Sequence, residues 1–140
     1  MRIIKFRGKK PSNGDWVYGS LVSSKDIDPA IYFQRGNGMV KTMDWVYVKQ
    51  DSIGQFTSLY DKNGKEIYER DILKVPGTLE KIEVRFVRGV FAFLWNGNLY
   101  DESPVNAPTQ EWAEVIGNIH DNPKLLKQKN EIQKMANRTE

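Results

Sequence analysis

The sequence predicts an all-β fold, with small barrels built from short strands and one C-terminal α-helix. Hydrophobic residues recur mainly with a period of two, most strictly in Ile82-Glu83-Val84-Arg85-Phe86, and this alternation gives a strand one dry and one wet face. Turn-forming pairs such as Asn63-Gly64 and Asn96-Gly97 separate short segments rich in Val, Ile, Tyr, Phe and Trp. Before residue 121 no segment has the helical length that parallel strands need for a crossover.

The strands follow one another with turns between them. We expect ten, at residues 2–7, 16–22, 30–34, 39–48, 54–60, 66–75, 80–87, 90–95, 98–101 and 111–119. The turns at Asp61–Gly64 and Asn96-Gly97 each predict a hairpin, because Asn and Gly tolerate positive φ. The run Val90–Trp95 does not alternate, so we expect it to be covered on both faces. Two prolines in Ser103–Thr109 predict a loop.

The end of the chain has a different character. Asn122 suits a helix N-cap, Pro123 suits the first helical position, and Lys124–Met135 is rich in helix formers. At 140 residues the chain has the size of one domain. We therefore expect a single β domain over residues 1–122, followed by a helix and tail over 123–140.

The amino-acid composition excludes several kinds of site and indicates a cellular compartment. The chain has no cysteine, which excludes a disulfide scaffold, a thiolate metal site and a cysteine nucleophile, and fits a reducing compartment. Its longest apolar run, Val90–Trp95, is far too short to span a bilayer. The basic start has no apolar signal-peptide core. A cytoplasmic protein with no membrane partner is the expectation.

Positive charge is concentrated at the ends of the chain. There are 21 basic and 18 acidic residues, a net of +3, yet the first ten residues hold five bases and no acid. Residues 11–120 hold 11 bases and 15 acids, a net of −4. Arg7, Lys9 and Lys10 are therefore candidate phosphate contacts for weak, sequence-independent and salt-dependent nucleic-acid binding. A basic surface strand without a ligand is the alternative.

Aromatic residues pair by strand parity. Trp16 and Tyr18 share one face of a strand, and so do Trp45 and Tyr47. We expect these faces to be core or subunit interface, since a monomer rarely exposes a large aromatic patch; stacking platforms for nucleobases are the alternative. The predicted homo-oligomer interface adds three apolar residues of the C-terminal helix, namely Leu125, Leu126 and Ile132.

Catalytic chemistry has little support in the sequence. His120 is the single histidine and belongs to no nucleophile motif. Glu66, Glu69 and Asp71 could supply oxygen ligands to a divalent metal, but basic neighbours favour solvated strand residues or local ion pairs. We therefore predict no catalytic residue, no metal and no cofactor, and keep a metal-dependent nuclease or hydrolase as a remote alternative.

Four segments resemble the YopX-like family of phage and prophage proteins. They are residues 1–8 (MRIIKFRG), 16–21 (WVYGSL), 53–72 (IGQFTSLYDKNGKEIYERDI) and 114–126 (EVIGNIHDNPKLL). Ser58 and Arg70 stand where that family usually has glycine. The resemblance implies a small, mainly β protein of phage origin with no established activity and no recognised catalytic motif. Residues 67–72, 82–86 and 90–93 also resemble the opening of an SH3-like barrel.

The functional expectation follows from these observations together. We expect a non-enzymatic, oligomeric binding or structural module encoded by a phage or prophage, whose partner is another copy or a host or phage protein. Weak, sequence-independent nucleic-acid binding is the alternative from a different class.

Overall fold

The computed structural model describes residues 2–99 and 108–126, and within them the chain is mainly β, which confirms the predicted class. The strands are β1 (Phe6–Lys9), β2 (Trp16–Ser24), β3 (Ile27–Arg35), β4 (Thr42–Tyr47), β5 (Gly54–Tyr60), β6 (Glu66–Tyr68), β7 (Asp71–Lys74), β8 (Lys81–Val87), β9 (Val90–Trp95), β10 (Asn98–Leu99) and β11 (Glu114–Asn118). A 3₁₀ turn covers Gln50–Ser52, and a short helix, α1, covers Thr109–Trp112.

The chain divides into two compact units, residues 1–58 and 59–140. In the first unit the strand order is β4-β3-β2-β1-β5. In the second unit the order is β10-β9-β8-β7-β11. The neighbouring strands of both units pair in antiparallel fashion. The described strands form open sheets, not the closed barrels that we expected. The predicted division into a β domain over 1–122 and a tail over 123–140 stays a prediction.

The core of the first unit lies on one face of its sheet. Val17, Ile31 and Val48 are at its centre, and five half-buried apolar residues pack against them: Phe6, Leu21, Phe33, Val46 and Ile53. The strand residues of this core alternate with residues of the opposite face, as a half-buried antiparallel sheet requires. The core therefore leaves a second, separate sheet face on this unit.

The core of the second unit is formed by six buried residues, Ile67, Leu73, Ile82, Val84, Phe93 and Ala113. Ile82 and Val84 are the apolar positions of the alternating segment, so that prediction is confirmed. Phe93 is also buried, but Val90 is 60% exposed. The expectation that the run Val90–Trp95 is covered on both faces is therefore wrong at its start.

Both predicted hairpin turns are present. The N–H of Asp61 donates to the Lys65 carbonyl at 2.8 Å, and Gly64 has a φ of 80°. Asn96 and Gly97 both have positive φ, and Asn98 pairs with Trp95 across that turn.

Several predicted strands differ from the observed ones: β3 covers Ile27–Arg35 instead of 30–34, and β4 covers Thr42–Tyr47 instead of 39–48. The strand expected at 66–75 is divided into β6 and β7, because Arg70 has a φ of 71°. The strand expected at 111–119 is shortened by α1, and the first strand begins at Phe6 instead of residue 2. Strand propensity alone gave no sign of these breaks.

The C-terminal helix begins at Lys124, and residues 127–140 lie outside the described part of the chain. Asn122 does not use its side chain as the predicted N-cap, because its Oδ1 accepts the Asn118 N–H at 3.2 Å. Within the described residues no helix is long and apolar enough to cross a membrane.

Candidate aromatic binding face

The registers of the first unit place the predicted aromatic residues on one sheet face. Lys9 is opposite Trp16 and Arg7 is opposite Tyr18, so these four side chains share the face that points away from the core. Farther across the sheet, Ser20 of β2 is opposite Tyr32, and Tyr32 is opposite Trp45. We call Trp16, Tyr18, Tyr32, Trp45 and Tyr47 the aromatic face.

The rings at the β3–β4 end of the aromatic face contact one another. The Tyr32 and Trp45 rings are stacked, with centroids 6.1 Å apart and an interplanar angle of 24°. Tyr47 meets Trp45 edge to face at 4.9 Å. Trp45 remains 46% exposed and Tyr47 50% exposed, and Tyr18 on β2 is 46% exposed. Trp45 and Tyr47 thus contact each other and still expose about half of their surface, and Tyr18 is exposed on the neighbouring strand β2.

Three cations line the other edge of the same face. Lys9 Nζ lies 5.3 Å from the centroid of the Trp16 ring, and the Arg7 guanidinium carbon lies 4.5 Å from it. The Lys5 carbonyl accepts the Phe56 N–H at 2.9 Å, which extends the β1–β5 ladder, and Lys5 Nζ lies 5.2 Å from the Phe56 ring. We call Lys5, Arg7 and Lys9 the cation row. A cation–π contact contributes about 0.5–1 kcal/mol at an exposed site, so these rings favour the observed positions of the charges.

The three predicted phosphate contacts do not all belong to the cation row. Arg7 and Lys9 do, although Arg7 is only 6% exposed. Lys10 follows the end of β1, where its backbone bonds with Gly14 and Asp15 form a turn. Arg35 lies on the core side of the sheet and pairs with Asp44 at 3.0 Å, so it adds nothing to the cation row.

Tyr32 is the residue of this site that sequence reasoning missed. It alternates with Ile31 and Phe33, which are core residues, so its parity was visible in the sequence. Its position beside Trp45 depends on the β3–β4 register, and the loop around Gly36 and Gly38 does not determine that register from sequence alone.

The two units differ in charge. Residues 1–58 hold nine basic and five acidic residues, a net of +4, whereas residues 59–140 hold twelve basic and thirteen acidic residues, a net of −1. The aromatic face and the cation row both belong to the first unit. Its field therefore favours an anionic ligand.

One acidic residue of the second unit, Asp61, has a clear structural role. Asp61 is 3% exposed; its Oδ1 accepts the N–H groups of Asn63 and Lys65, each at 2.9 Å, and its Oδ2 accepts the Val115 N–H at 3.0 Å. Burial acts to raise the pKa of this carboxyl, but the three N–H groups and the Lys65 charge outweigh it and lower the pKa below 3.8. Asp61 thus fixes the β5–β6 turn to β11.

Glu66, Glu69 and Asp71 are the three residues that could have supplied oxygen ligands to a divalent metal. Asp71 is 2% exposed and its Oδ2 accepts the Tyr68 N–H at 2.8 Å, so the expectation of a solvated strand residue is wrong for Asp71. Glu66 Oε1 accepts the Tyr68 hydroxyl at 3.2 Å, and Glu69 is half-buried. Among residues 2–99 and 108–126, no group of three or more His, Asp or Glu side chains could hold a metal ion.

The remaining predicted residues lie in the second unit. The His120 N–H donates to Asn118 Oδ1 at 3.0 Å as part of a turn. Leu125 is half-buried, and Leu126 lines a cavity of about 300 Å³ together with Glu83 and Leu94 of its own chain. Ile132 lies outside the described residues.

Comparison with known proteins gives a family and a related solved structure. The family described as "YopX protein" matches residues 5–127. The crystal structure of protein EF1440 from Enterococcus faecalis is similar with a TM-score of 0.60 and 25% sequence identity, over 90% of this chain and 99% of that one. No curated protein matches.

Proposed function

The chain belongs to the YopX protein family, and we propose that it is a non-enzymatic module that binds nucleic acid through its aromatic face and cation row. We further propose that it is encoded by a phage or prophage and acts in the cytoplasm. A gene position inside an integrated element would support the phage origin, and a gene position outside any such element would count against it.

One observation carries this proposal: exposed aromatic rings that contact one another share a single sheet face with Lys5 and Lys9. Aromatic side chains stack on nucleobases and cations neutralise phosphates, and neither contact reads sequence. Because Arg7 is buried, Lys5 and Lys9 are the two cations of the row that a phosphate can reach, and the salt dependence of log K should have a slope of about −1.4 for a single strand. Binding is therefore expected to be weak, sequence-tolerant and sensitive to salt.

A charge-removal experiment tests the proposal. Fluorescence anisotropy with a labelled oligothymidylate at low salt should detect binding by the native chain. Lys5→Gln with Lys9→Gln should weaken it about tenfold and make the salt slope shallower by about 1.4. The matched control is Lys74→Gln with Lys81→Gln, which removes equal charge from opposed positions in the second unit and should leave the affinity nearly unchanged. Absence of any binding at low salt would refute the proposal.

Self-association through the same face is the second candidate function. Exposed Tyr18, Trp45 and Tyr47 favour it, since contiguous apolar surface of this kind is typical of interfaces. Light scattering at tens of micromolar should then give a dimer or larger, and Trp45→Ala should reduce the mass to that of a monomer. Deletion of residues 123–140 tests the contribution of Leu125, Leu126 and Ile132. A monomeric native chain would exclude this candidate.

For the second unit we propose an SH3-like arrangement, supported by the adjacent antiparallel strands β7, β8 and β9. Fold likeness of this kind adds no activity. An experimental structure that superimposes this unit on known SH3-like barrels would support it, and one whose strands connect differently would not.

A further inference from the structure

We propose, on the basis of the nucleic-acid function above, that the aromatic face selects single strands, with phosphates along the cation row and unpaired bases stacked on the exposed rings. Three features of the first unit support this selectivity: the spacing of the cations, the exposure of the rings, and the continuous line of side chains that joins the cations to the rings.

The cation row has the spacing of an extended backbone. Residues i and i+2 of a strand point to the same face about 6.6 Å apart, so Lys5, Arg7 and Lys9 form a line about 13 Å long. Consecutive phosphates of an extended single strand are separated by a similar distance. Lys5 and Lys9 are therefore about two phosphate steps apart, while Arg7 between them is buried and packs against Trp16 instead of contacting a phosphate.

The exposed rings need a base with a free π-face. Trp45 and Tyr47 are about half exposed and held by contacts with each other. In a duplex each base already stacks on its neighbours, so these rings could reach a base face only after unpairing. Base–aromatic stacking contributes about 1–3 kcal/mol per base in single-strand binders, and that contribution is unavailable to a duplex.

A continuous route joins the cations to the rings. Arg7 is opposite Tyr18, Tyr18 is two residues from Ser20 on the same face, and Ser20 is opposite Tyr32. Tyr32 in turn is opposite Trp45. Three strand spacings, about 14 Å in all, separate β1 from β4. Bases directed away from phosphates on β1 would lie over Tyr18 and Tyr32, with Trp45 next to them.

Three probes of equal length separate stacking from charge: an oligothymidylate, a duplex, and an oligomer of abasic sites that keeps the phosphates and lacks the bases. We expect the oligothymidylate to bind at least tenfold more tightly than either of the others. The double variant Trp45→Ala with Tyr47→Ala should bind the oligothymidylate about tenfold more weakly than the native chain does. Its affinity for the oligomer of abasic sites should be unchanged. Trp45→Phe, which keeps a ring, should retain most of the affinity.

Phe86→Ala is the matched control, because Phe86 is a 53% exposed ring on a strand of the second unit; it should have no effect. Circular dichroism melting checks that each variant folds. Equal affinity for all three probes, or equal losses for the control and the double variant, would overturn single-strand selection while nucleic-acid binding stands. Failure of every probe to bind would overturn the proposed function itself. If only self-association responds to the Trp45 and Tyr47 changes, the face is an interface between copies and the inference is wrong.

Discussion

Ser58 and Arg70 hold a backbone conformation that L-residues rarely adopt, with φ of 69° and 71°. The left-handed region costs a non-glycine residue about 1–2 kcal/mol. These are the two positions where the YopX-like resemblance implies glycine. Arg70 gains an ion pair in return, because its Nε lies 3.0 Å from Glu83 Oε2; that contact is an ion pair without hydrogen-bond geometry. Ser58 is exposed, so its substitution isolates the backbone effect.

Ser58→Gly should therefore stabilise the protein by about 0.5–1 kcal/mol. This figure is the free-energy cost of the left-handed conformation minus the entropic cost of ordering a glycine, which is more flexible in the unfolded chain. Urea unfolding measures the change. Ser20→Gly is the control: Ser20 is also exposed, but it lies in β2 with ordinary strand φ, so the same replacement should destabilise by a similar amount. Destabilisation by both replacements would show that the conformation of Ser58 carries no cost.

The Asp61 carboxylate is expected to make stability depend on pH. Its pKa is lower in the folded chain than the ordinary 3.8, so the ionised form stabilises the fold above that value, and the contribution is lost as pH falls through the folded pKa. Asp61→Asn should cost about 2 kcal/mol near neutral pH, because the Val115 N–H then loses its acceptor. Unfolding curves from pH 6 to pH 2 should show a shallower acid loss for the variant. An exposed control, Asp26→Asn, should keep the native profile; a native profile in Asp61→Asn would contradict this role.

At the scale of elements, close strand packing is expected to make Gly19 irreplaceable. Gly19 lies in β2, and a Cβ there would collide with the Tyr32 carbonyl oxygen on β3. That oxygen belongs to the backbone and cannot move without displacing the strand. Gly19→Ala should thus destabilise by about 2–3 kcal/mol and disturb the position of Tyr32 on the aromatic face. Ser20→Ala, one residue along the same strand, is the control and should change stability by less than about 0.5 kcal/mol. Native stability of Gly19→Ala in thermal melts would refute the clash.

Elements with strong local signals were predictable from the sequence. Alternation placed β8 within a residue of its observed bounds, and the Asn-Gly pairs placed both hairpin turns. Breaks in the strands that depend on tertiary contacts were not predictable from the sequence. α1 takes the place of residues 111 and 112 of a predicted strand, and its first residue, Thr109, donates its hydroxyl to the Tyr60 carbonyl at 2.8 Å, a partner 49 residues away. For the aromatic face, parity paired Trp16 with Tyr18 and Trp45 with Tyr47, but parity cannot tell an exposed face from a core.

At the scale of the whole molecule, charge and exposed aromatic surface coincide in residues 1–58. That unit has a net charge of +4 and residues 59–140 have −1. The four tryptophans divide evenly between the units: Trp16 and Trp45 belong to the aromatic face, while Trp95 and Trp112 pack against the core of the second unit. Each indole therefore reports on one unit.

This division makes a prediction for the nuclear magnetic resonance signals of the four indole N–H groups, each assigned by a Trp→Phe variant. Titration with an oligothymidylate should shift the Trp16 and Trp45 signals, because bases stack beside Trp45 and phosphates compete with Trp16 for the charge of Lys9. The Trp95 and Trp112 signals should stay in place, since no part of the proposed face belongs to their unit. Raising the salt concentration should reverse the shifts as phosphate contacts are lost. Shifts confined to Trp95 and Trp112 would place the binding surface on the second unit and refute the assignment of the face.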